Sequence, residues 1–420
     1  MKTKRILALL TALIIVFQLM PAVFADDTGD HAASVDGIGY TSLDEAFAAA
    51  GNEGKTVTVQ KDIGTAGAPV GVTVSGIFSG TLDLNGHSVY IGSMTFRTDN
   101  CSIIFTDSSS ENSGTLYVTA LGDHGGLAPN TSRKITLSFT DVKVVSTEIL
   151  FYSSGKSSLY INDGADIYCG GMWKDPDTFY GYGSINGNVD VYVTGGKFVV
   201  EKGQNIRVTG KAVISGGRVE SLHSEAVREA SKTTITGDAV VLGNALKTNS
   251  TAQNCTRDVH TGCKPEISGG YFNEPFVDGK VDYGEYGQVT KKTLSFLADE
   301  YMSDTSPVAE GEFAGLYGVR PAAAKVTQSN NTAVKYETVS QAYEALSATA
   351  NKSGRVLRLY TDTDEAYAMH MGETLSIEPN GHSYPEPVPP QGFKLKSEPS
   401  DDGKSIAYSL AEDDMGVRLV

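Results

Sequence analysis

The sequence predicts an all-β protein built as a parallel β-helix, with a short N-terminal capping helix and a small α+β module near the C-terminus. Three observations support this prediction. A helix–strand–strand unit occurs between Ser42 and His87 and again between Thr338 and His382. The stretch between the two copies consists of short runs rich in Val, Ile, Thr, Tyr and Phe separated by Gly, Asn, Asp and Ser, which is typical of strands and turns. Gly-Gly turns recur within it at a spacing that suits one coil.

Each copy of the repeat begins with a short amphipathic helix. Ser42 and Glu45 fit the S/T-x-x-E capping box, in which each side chain satisfies a free backbone N–H, and Thr338 and Gln341 occupy the same positions. Apolar residues follow at helical spacing, namely Leu43, Ala46, Phe47 and Ala50 in one copy and Val339, Ala342, Tyr343 and Leu346 in the other. An open first coil exposes strand edges and apolar core. The first helix is therefore predicted to cap the solenoid.

Each copy ends at an Asn-Gly-His corner. The strand before it alternates in both copies, with Leu82 and Leu84 in the first and Leu375 and Ile377 in the second. Asn-Gly adopts positive φ at little cost and so marks a tight turn. We interpret the two histidines as structural residues at these corners; a catalytic role is the alternative.

The solenoid prediction depends mainly on the Gly-Gly turns. They follow Ser or Thr at Thr194-Gly195-Gly196, Ser215-Gly216-Gly217 and Ser268-Gly269-Gly270, and the first two lie 21 residues apart. That length suits one coil of a parallel β-helix, whose inward side chains alternate with outward ones. An antiparallel sandwich is the competing fold. It is less favoured because the turns repeat one motif and few resemble two-residue hairpin loops.

The N-terminus is typical of a secreted protein. Basic residues at positions 2, 4 and 5 precede an apolar run over residues 6–17, and Val23-Phe24-Ala25 fits a signal-peptidase site. We predict a signal peptide over residues 1–25 and a secreted product, free or associated with the cell surface. Cleavage takes the formal charge from −16 to −19. That acidity disfavours nucleic acid and anionic membranes as partners, and no later segment is predicted to insert in a membrane.

The signals divide the chain into four parts. We predict the signal peptide over residues 1–25, the β-helix with its cap over 26–320, the second copy with a Pro-rich linker over 321–390, and a C-terminal β tail over 391–420. Because no second long solenoid follows the second copy, it either caps the first β-helix or folds as a separate small domain.

Four cysteines are too few for a disulfide scaffold. Cys255 and Cys263 bracket a short polar loop, and we predict a disulfide between them in an oxidising compartment. Two free thiols, or a zinc site that includes His260, are the alternatives; zinc is the least favoured because it prefers tighter pairs and four ligands. Cys101 and Cys169 lie beside apolar strand residues and are interpreted as small buried side chains.

Several strings of this sequence resemble one group of proteins: YTSLDEAFAAA, TVTVQKDI, GTLDLNGHSV, EISGGYFNEPF and FLADEY. The resemblance is to secreted cell-surface proteins of Gram-positive gut bacteria that carry right-handed parallel β-helix domains of the pectate-lyase-like superfamily. It covers residues 35–319 and the second copy from residue 324 onward. The resemblance implies a right-handed solenoid in a modular extracellular protein, and its motifs are structural ones.

Enzymes of the pectate-lyase-like superfamily carry motifs that this chain lacks. Neither the Gly-His-Gly nor the Arg-Ile-Lys string of polygalacturonase-like hydrolases occurs, and no local Ser-His-Asp or Cys-His signature is present. We therefore predict no catalytic residue and no cofactor, with calcium as the one candidate ion. A polysaccharide lyase or glycoside hydrolase acting on an acidic or plant polysaccharide is the alternative.

The candidate ligand-binding site is the loop over residues 173–182, which interrupts the regular pattern and contains the only tryptophan. Aromatic faces stack on sugars or seat protein partners, and carboxylates accept sugar hydroxyls or hold a cation. The predicted ligand-binding residues are Trp173, Asp175, Asp177, Tyr180 and Tyr182. The predicted partner is a glycan or a host glycoprotein, such as mucin or immunoglobulin. The alternative is that these aromatics fold back over the flank of the solenoid.

Overall fold

A computed structural model of the chain describes residues 30–111, 113–118, 133–171, 173–175, 180–181, 183–228, 230–244, 254–255, 258–261, 266–276, 279–280, 293–294 and 297–413. The predicted signal peptide lies outside the described residues. The described chain is mostly β, with large parallel sheets and two helices, α1 (Leu43–Ala50) and α2 (Val339–Ala348). No helix in these ranges is long and apolar enough to cross a membrane.

The strands follow one another in chain order, and most are short. They are β1 (Ala33–Val35), β2 (Ile38–Tyr40), β3 (Thr56–Val59), β4 (Val70–Val74), β5 (Ser79–Asp83), β6 (Ser88–Phe96), β7 (Cys101–Thr106), β8 (Thr115–Val118), β9 (Ile135–Phe139), β10 (Lys143–Ser146), β11 (Phe151–Ile161), β12 (Asp166–Gly171), β13 (Trp173–Asp175), β14 (Tyr180–Gly181), β15 (Gly183–Val193), β16 (Lys197–Lys202), β17 (Gln204–Val208), β18 (Lys211–Ile214), β19 (Arg218–Ser221), β20 (Val227–Arg228), β21 (Lys232–Ile235), β22 (Val240–Leu242), β23 (Asn254–Cys255), β24 (Val259–Thr261), β25 (Glu266–Ile267), β26 (Tyr271–Phe272), β27 (Gly279–Lys280), β28 (Thr293–Leu294), β29 (Tyr301–Ser303), β30 (Tyr317–Pro321), β31 (Ala324–Thr327), β32 (Ala333–Tyr336), β33 (Arg355–Leu359), β34 (Leu375–Glu378), β35 (Phe393–Pro399) and β36 (Ile406–Glu412).

Two large sheets contain most of these strands. Sheet 1 runs β2-β1-β3-β5-β7-β9-β11-β15-β17-β20-β24-β23, with β18, β21 and β25 branching from β15. Sheet 2 runs β29-β30-β26-β22-β19-β16-β12-β10-β8-β6-β4. From β3 to β12 the chain alternates strictly between the two sheets, and each strand pairs in parallel with the strand two further on. The antiparallel sandwich considered as a competing fold is therefore wrong.

The strand register measures the length of each coil. Val193 pairs with Ile214 and Ile214 pairs with Ile235, which is the 21-residue period that the Gly-Gly turns predicted. Phe139 pairs with Ile161, 22 positions on, whereas Ile161 pairs with Val193, 32 positions on. The coil that contains residues 172–182 is therefore longer than its neighbours.

The core between the sheets consists of rows of inward-facing side chains, and each strand contributes one residue to each row. One row in sheet 1 keeps continuous register and is fully buried; it consists of Leu82, Phe105, Phe139, Ile161, Val193, Ile214, Ile235 and Ile267. Within it the rings of Phe105 and Phe139 stack with centroids 5.1 Å apart. Each such side chain contributes roughly 1.5–3 kcal/mol by burial, so repetition of one alternating pattern stabilises the whole stack.

Helix α1 covers the first edge of sheet 2. Asp44 Oδ1 accepts a hydrogen bond of 2.9 Å from the N–H of Thr73 in β4, the outermost strand, and the ring of Phe47 packs edge-on against Phe78 at 4.8 Å. Ser42 Oγ caps the Glu45 N–H at 3.2 Å as predicted. Glu45, however, does not return to Ser42 as the capping box requires. Its carboxylate accepts from the N–H and hydroxyl of the preceding Thr41, at 3.1 and 2.8 Å.

The second copy forms a module with its own sheet and core. Its sheet runs β32-β31-β33-β34-β36-β35, and α2 has the complete capping box predicted for Thr338 and Gln341. Strands β31, β32, β33 and β34 correspond to β1, β2, β3 and β5, so the structural repeat begins upstream of the helix from which the sequence identified it. Strand β36 pairs antiparallel with β34 and with β35, at the position where the first copy continues into the next coil.

The second module contacts the end of the first core through charged groups. Asp299 pairs with Lys325 at 3.2 Å and with Arg358 at 2.9 Å, and Lys335 Nζ donates to the Tyr301 carbonyl at 2.8 Å. Burial alone would raise the pKa of Asp299, but the two cations hold it below its usual range. At the positions of these three cations the first copy has Ser34, Gly39 and Thr58, so this junction is specific to the second copy.

Candidate functional site

A short antiparallel hairpin stands at the position of the predicted binding loop. Strands β13 and β14 pair Trp173 with Gly181 and Asp175 with Tyr180, and they join no other strand that the structure describes. The segment belongs to neither large sheet, as predicted for a loop that interrupts the coil, although it contains two short strands.

The predicted ligand-binding side chains cannot be placed against one another. Trp173, Asp175 and Tyr180 lie in β13 and β14, whose side chains are outside what the structure describes, and Asp177 and Tyr182 lie outside the described residues. Binding by these five residues therefore stays a prediction. The same holds for the disulfide: Cys255 lies in β23 with its side chain undescribed, and Cys263 lies outside the described residues.

Gly171 sets the point where the chain leaves sheet 2 for the hairpin. It has φ +70°, pairs with Lys202 in β16, and has room for no side chain, since a Cβ would lie 1.6 Å from the Lys202 carbonyl oxygen. An L side chain at this φ is also strained. The backbone contact at Gly171 therefore fixes the root of the hairpin at the end of β12.

A row of aromatic and branched side chains runs along the outer face of sheet 2 and crosses β12, the strand that leads into the hairpin. We call it the tyrosine row; its members, one per strand, are Tyr90, Tyr117, Val145, Tyr168 and Val199. The rings of Tyr90 and Tyr117 stack 4.2 Å apart and 3° from parallel. At about 4.8 Å per strand, the row is about 19 Å long. It crosses β12, whose last residue is the hairpin root Gly171, and continues to the buried Val199 in β16.

Tyr168 is the most exposed aromatic side chain of this row. It is 40% exposed, and its hydroxyl donates to Glu201 Oε2 at 2.8 Å. Partial burial, and then the hydrogen bond and charge of Glu201, raise the pKa of the Tyr168 phenol. His223 Nδ1 contacts the Glu201 carbonyl oxygen at 2.7 Å, and Leu222 beside it is 36% exposed. Next to the hairpin root the surface therefore combines an aromatic ring, a carboxylate and an apolar side chain.

The chemistry of this surface suits binding of a ligand that has both apolar faces and hydroxyl groups. An exposed tyrosine ring packs on a sugar face or an apolar side chain, and the carboxylate of Glu201 accepts hydroxyl hydrogens. Within the described ranges no group of three His, Cys, Asp or Glu side chains is placed to hold a metal ion.

The two corner histidines occupy equivalent structural positions. His87 Nδ1 lies 3.5 Å from Asp62 Oδ1, and His382 Nδ1 lies 3.5 Å from Asp362 Oδ1. Each aspartate also accepts the N–H of the serine after the histidine, at 2.9 and 2.7 Å. Both corners turn at an asparagine with positive φ. The same pair closes the same corner twice, which supports the structural interpretation of these histidines.

Two cysteines of the first core are placed as the strand pattern predicted. Cys101 and Cys169 are free and buried, and burial raises the pKa of the Cys169 thiol. A thiol that is hard to ionise is a poor nucleophile, so Cys169 serves as a small core side chain.

Tyr168, Glu201 and His223 were not predicted as functional residues. The alternation in β12 already gives Tyr168 an outward position between inward Ile167 and Cys169, and that signal was available in the sequence. The contact between Tyr168 and Glu201 could not be predicted from the sequence, because it joins residues 33 positions apart on different strands.

As a class, the described chain is a mostly β protein with two large parallel sheets and a separate small module. No protein-family model, curated protein or solved structure matches it.

Proposed function

We propose that this chain is a secreted, non-catalytic binding protein, displayed at a cell surface, whose two large sheets form a right-handed β-helix that contacts glycans or host glycoproteins. The strict alternation of parallel strands between the sheets supports the solenoid. The N-terminal leader supports secretion, and the resemblance to surface β-helix proteins of Gram-positive gut bacteria supports the handedness and the setting.

One observation carries the binding proposal: the hairpin that contains Trp173 follows β12, the strand that contributes Tyr168 to the tyrosine row. A rigid stack of coils holds the row in place, Tyr168 contacts Glu201, and the hairpin that follows β12 contains the only tryptophan of the chain. Binding residues commonly lie on segments that protrude from such rigid scaffolds. The glycan or glycoprotein would lie along the row and contact the hairpin at its end.

A binding screen tests the proposal. The purified chain is applied to an array of plant, mucin and bacterial glycans and immunoglobulins, with and without calcium because Asp175 and Asp177 are candidate ligands of that ion. We expect a specific hit, and we expect Trp173→Ala and Tyr168→Ala each to weaken it at least tenfold, the loss typical of an aromatic anchor. Phe393→Ala, in the second module, is the matched aromatic control and should bind normally.

The stability of the variants separates binding from packing. Trp173→Ala should leave the melting temperature nearly unchanged; a large drop would instead show that the hairpin aromatics cover the flank of the solenoid. Shortening of a bound polymer, or new unsaturated ends, would support the lyase or hydrolase alternative. Absence of binding to every member of the array would contradict the binding proposal.

A further inference from the structure

A second surface with regular chemistry lies on the outer face of sheet 1. The residue that ends each sheet 1 strand, or directly follows it, is Ser, Thr or Asn on seven successive coils. We call this set the hydroxyl row; it consists of Thr106, Thr140, Asn162, Thr194, Ser215, Thr236 and Ser268. From Thr140 onward, each backbone N–H donates to a carbonyl of the preceding coil at 2.8–3.1 Å. The row therefore keeps one register along the sheet, and it includes the Ser and Thr residues of the Gly-Gly turns.

The next outward row of sheet 1 lies two residues earlier on each strand. Its members are Ile104, Ser138, Tyr160, Tyr192, Val213, Thr234 and Glu266. The rings of Tyr160 and Tyr192 stack 4.7 Å apart and only 6° from parallel. The angle between the two rings is smaller than the rotation of about 20–25° between neighbouring strands in most sheets, so the stacked rings form a flat patch on this face. The two rows form a grid in which side-chain positions are about 4.8 Å apart from strand to strand and about 6.6 Å apart along each strand.

Asn162 orients three hydroxyl groups of this grid. Its Nδ2 donates to Ser138 Oγ at 2.9 Å and to Thr140 Oγ1 at 3.0 Å, and its Oδ1 accepts from Thr194 Oγ1 at 3.0 Å. A hydroxyl has one hydrogen to donate and two lone pairs. Ser138 and Thr140 therefore keep their hydrogens for a ligand, and Thr194 keeps its lone pairs. The grid presents both donors and acceptors in set directions.

The hydroxyl row carries no charged side chain from Thr106 to Ser268, whereas the next row ends in Glu266, which pairs with Lys232 at 2.8 Å. Charges border the grid: Asp83 is in register beside Thr106, and Lys211 Nζ lies 4.9 Å from the centre of the Tyr192 ring. Each sheet also has a charged outward row, with Lys211 and Lys232 in sheet 1 and Lys143, Asp166 and Lys197 in sheet 2. The neutral hydroxyl row suits an uncharged partner.

We propose that this hydroxyl face, the hydroxyl row together with the Tyr160 row, adsorbs the chain to the surface of packed, uncharged polysaccharide. A flat grid of donors and acceptors matches an ordered array of sugar hydroxyls, and the edges of the stacked tyrosines contact sugar C–H groups. Because the hydroxyl directions are set before binding, little conformational entropy is lost on contact. This site lies on the other sheet from the tyrosine row and does not depend on the hairpin.

Adsorption of the purified chain to microcrystalline cellulose and chitin particles tests the proposal. A triple variant removes three hydroxyls of the row while keeping the β-branched shape: Thr106→Val, Thr194→Val and Thr236→Val. A matched triple variant does the same on sheet 2: Thr73→Val, Thr95→Val and Thr147→Val. We expect the first to lower the particle partition constant roughly tenfold or more at an unchanged melting temperature. We expect the second triple variant, and Trp173→Ala, to adsorb like the parent chain.

Each outcome of this test decides the proposal. Equal adsorption by the two triple variants would overturn it, as would failure of the parent chain to adsorb to either particle. Thermal hysteresis of ice without particle adsorption would show that the grid orders water instead, and would also overturn it. If the first triple variant does not fold, Thr194→Val alone is compared with Thr147→Val, and equal adsorption again refutes the proposal.

Discussion

Replacing Asp258 with Asn is expected to remove a strong pH dependence of folding stability. Asp258 is fully buried at the C-terminal end of the first core, where it joins neighbouring coils. Its carboxylate accepts the Gly243 N–H at 2.7 Å and the Asn273 N–H and Nδ2 at 3.2 and 3.0 Å. Burial outweighs these hydrogen bonds and raises the pKa of Asp258 from 3.8 to about 7.

The size and sign of the effect follow from that shift. In the unfolded chain the carboxyl ionises near pH 4, whereas in the folded chain it stays protonated up to about pH 7. Its contribution to stability is therefore complete below pH 4 and is lost as pH rises to 7, where both states are ionised. A shift of about three units corresponds to about 4 kcal/mol.

Equilibrium urea unfolding between pH 4 and pH 8, followed by the circular dichroism of the β-sheets, measures this effect. The difference in unfolding free energy between the parent chain and Asp258→Asn should fall by several kcal/mol from pH 4 to pH 7 and then level off. Asp166→Asn, which removes an exposed carboxylate, is the matched control. A parent–variant difference that stays constant within about 1 kcal/mol across this window would refute the reasoning.

Three further predictions concern the scaffold. Gly171→Ala should lower the melting temperature far more than Gly37→Ala. A Cβ at Gly171 would lie 1.6 Å from a carbonyl oxygen, whereas Gly37, also at positive φ, has open space around it. Equal drops in melting temperature would contradict the packing argument. Phe105→Ala, which removes a ring from a fully buried row, should lower the free energy of unfolding in urea by about 3–5 kcal/mol. A decrease under about 1 kcal/mol would contradict the packing of this row in the core. His87→Ala and His382→Ala should each cost about 0.5–1.5 kcal/mol and leave glycan binding intact; loss of binding would reopen a functional role for the corners.

Local signals in the sequence were sufficient for much of the fold. Alternation of apolar residues identified most strands, because a strand that buries one face needs an apolar residue at every second position. The Gly-Gly turns set the coil length, which the pairing of Val193 with Ile214 reproduces. Ser42 and Thr338 were read correctly as helix caps because a cap contacts only the first turn of its own helix.

The sequence-based predictions were wrong or incomplete where two partners compete for one side chain, or where the contacting residues are distant in sequence. Glu45 was assigned to Ser42, but its carboxylate reaches two donors on Thr41 instead of one on Ser42. The upstream hairpin of the repeat was missed because its sequence differs between copies, with Gly39 in one and Lys335 in the other. Only the fold shows that these residues occupy the same position.

The sequence by itself determined the kind of scaffold: parallel strands, a spacing of 21 residues in part of the stack, a helix over the first edge and a second copy of the starting unit. Each of these depends on neighbours within a few residues or on a pattern repeated along the chain. The tertiary structure alone decided which outward side chains form surfaces, from the tyrosine row beside the hairpin to the hydroxyl row and the cations around Asp299. Such surfaces combine one residue from each coil, and the register between coils is set by packing of the whole core rather than by any local signal.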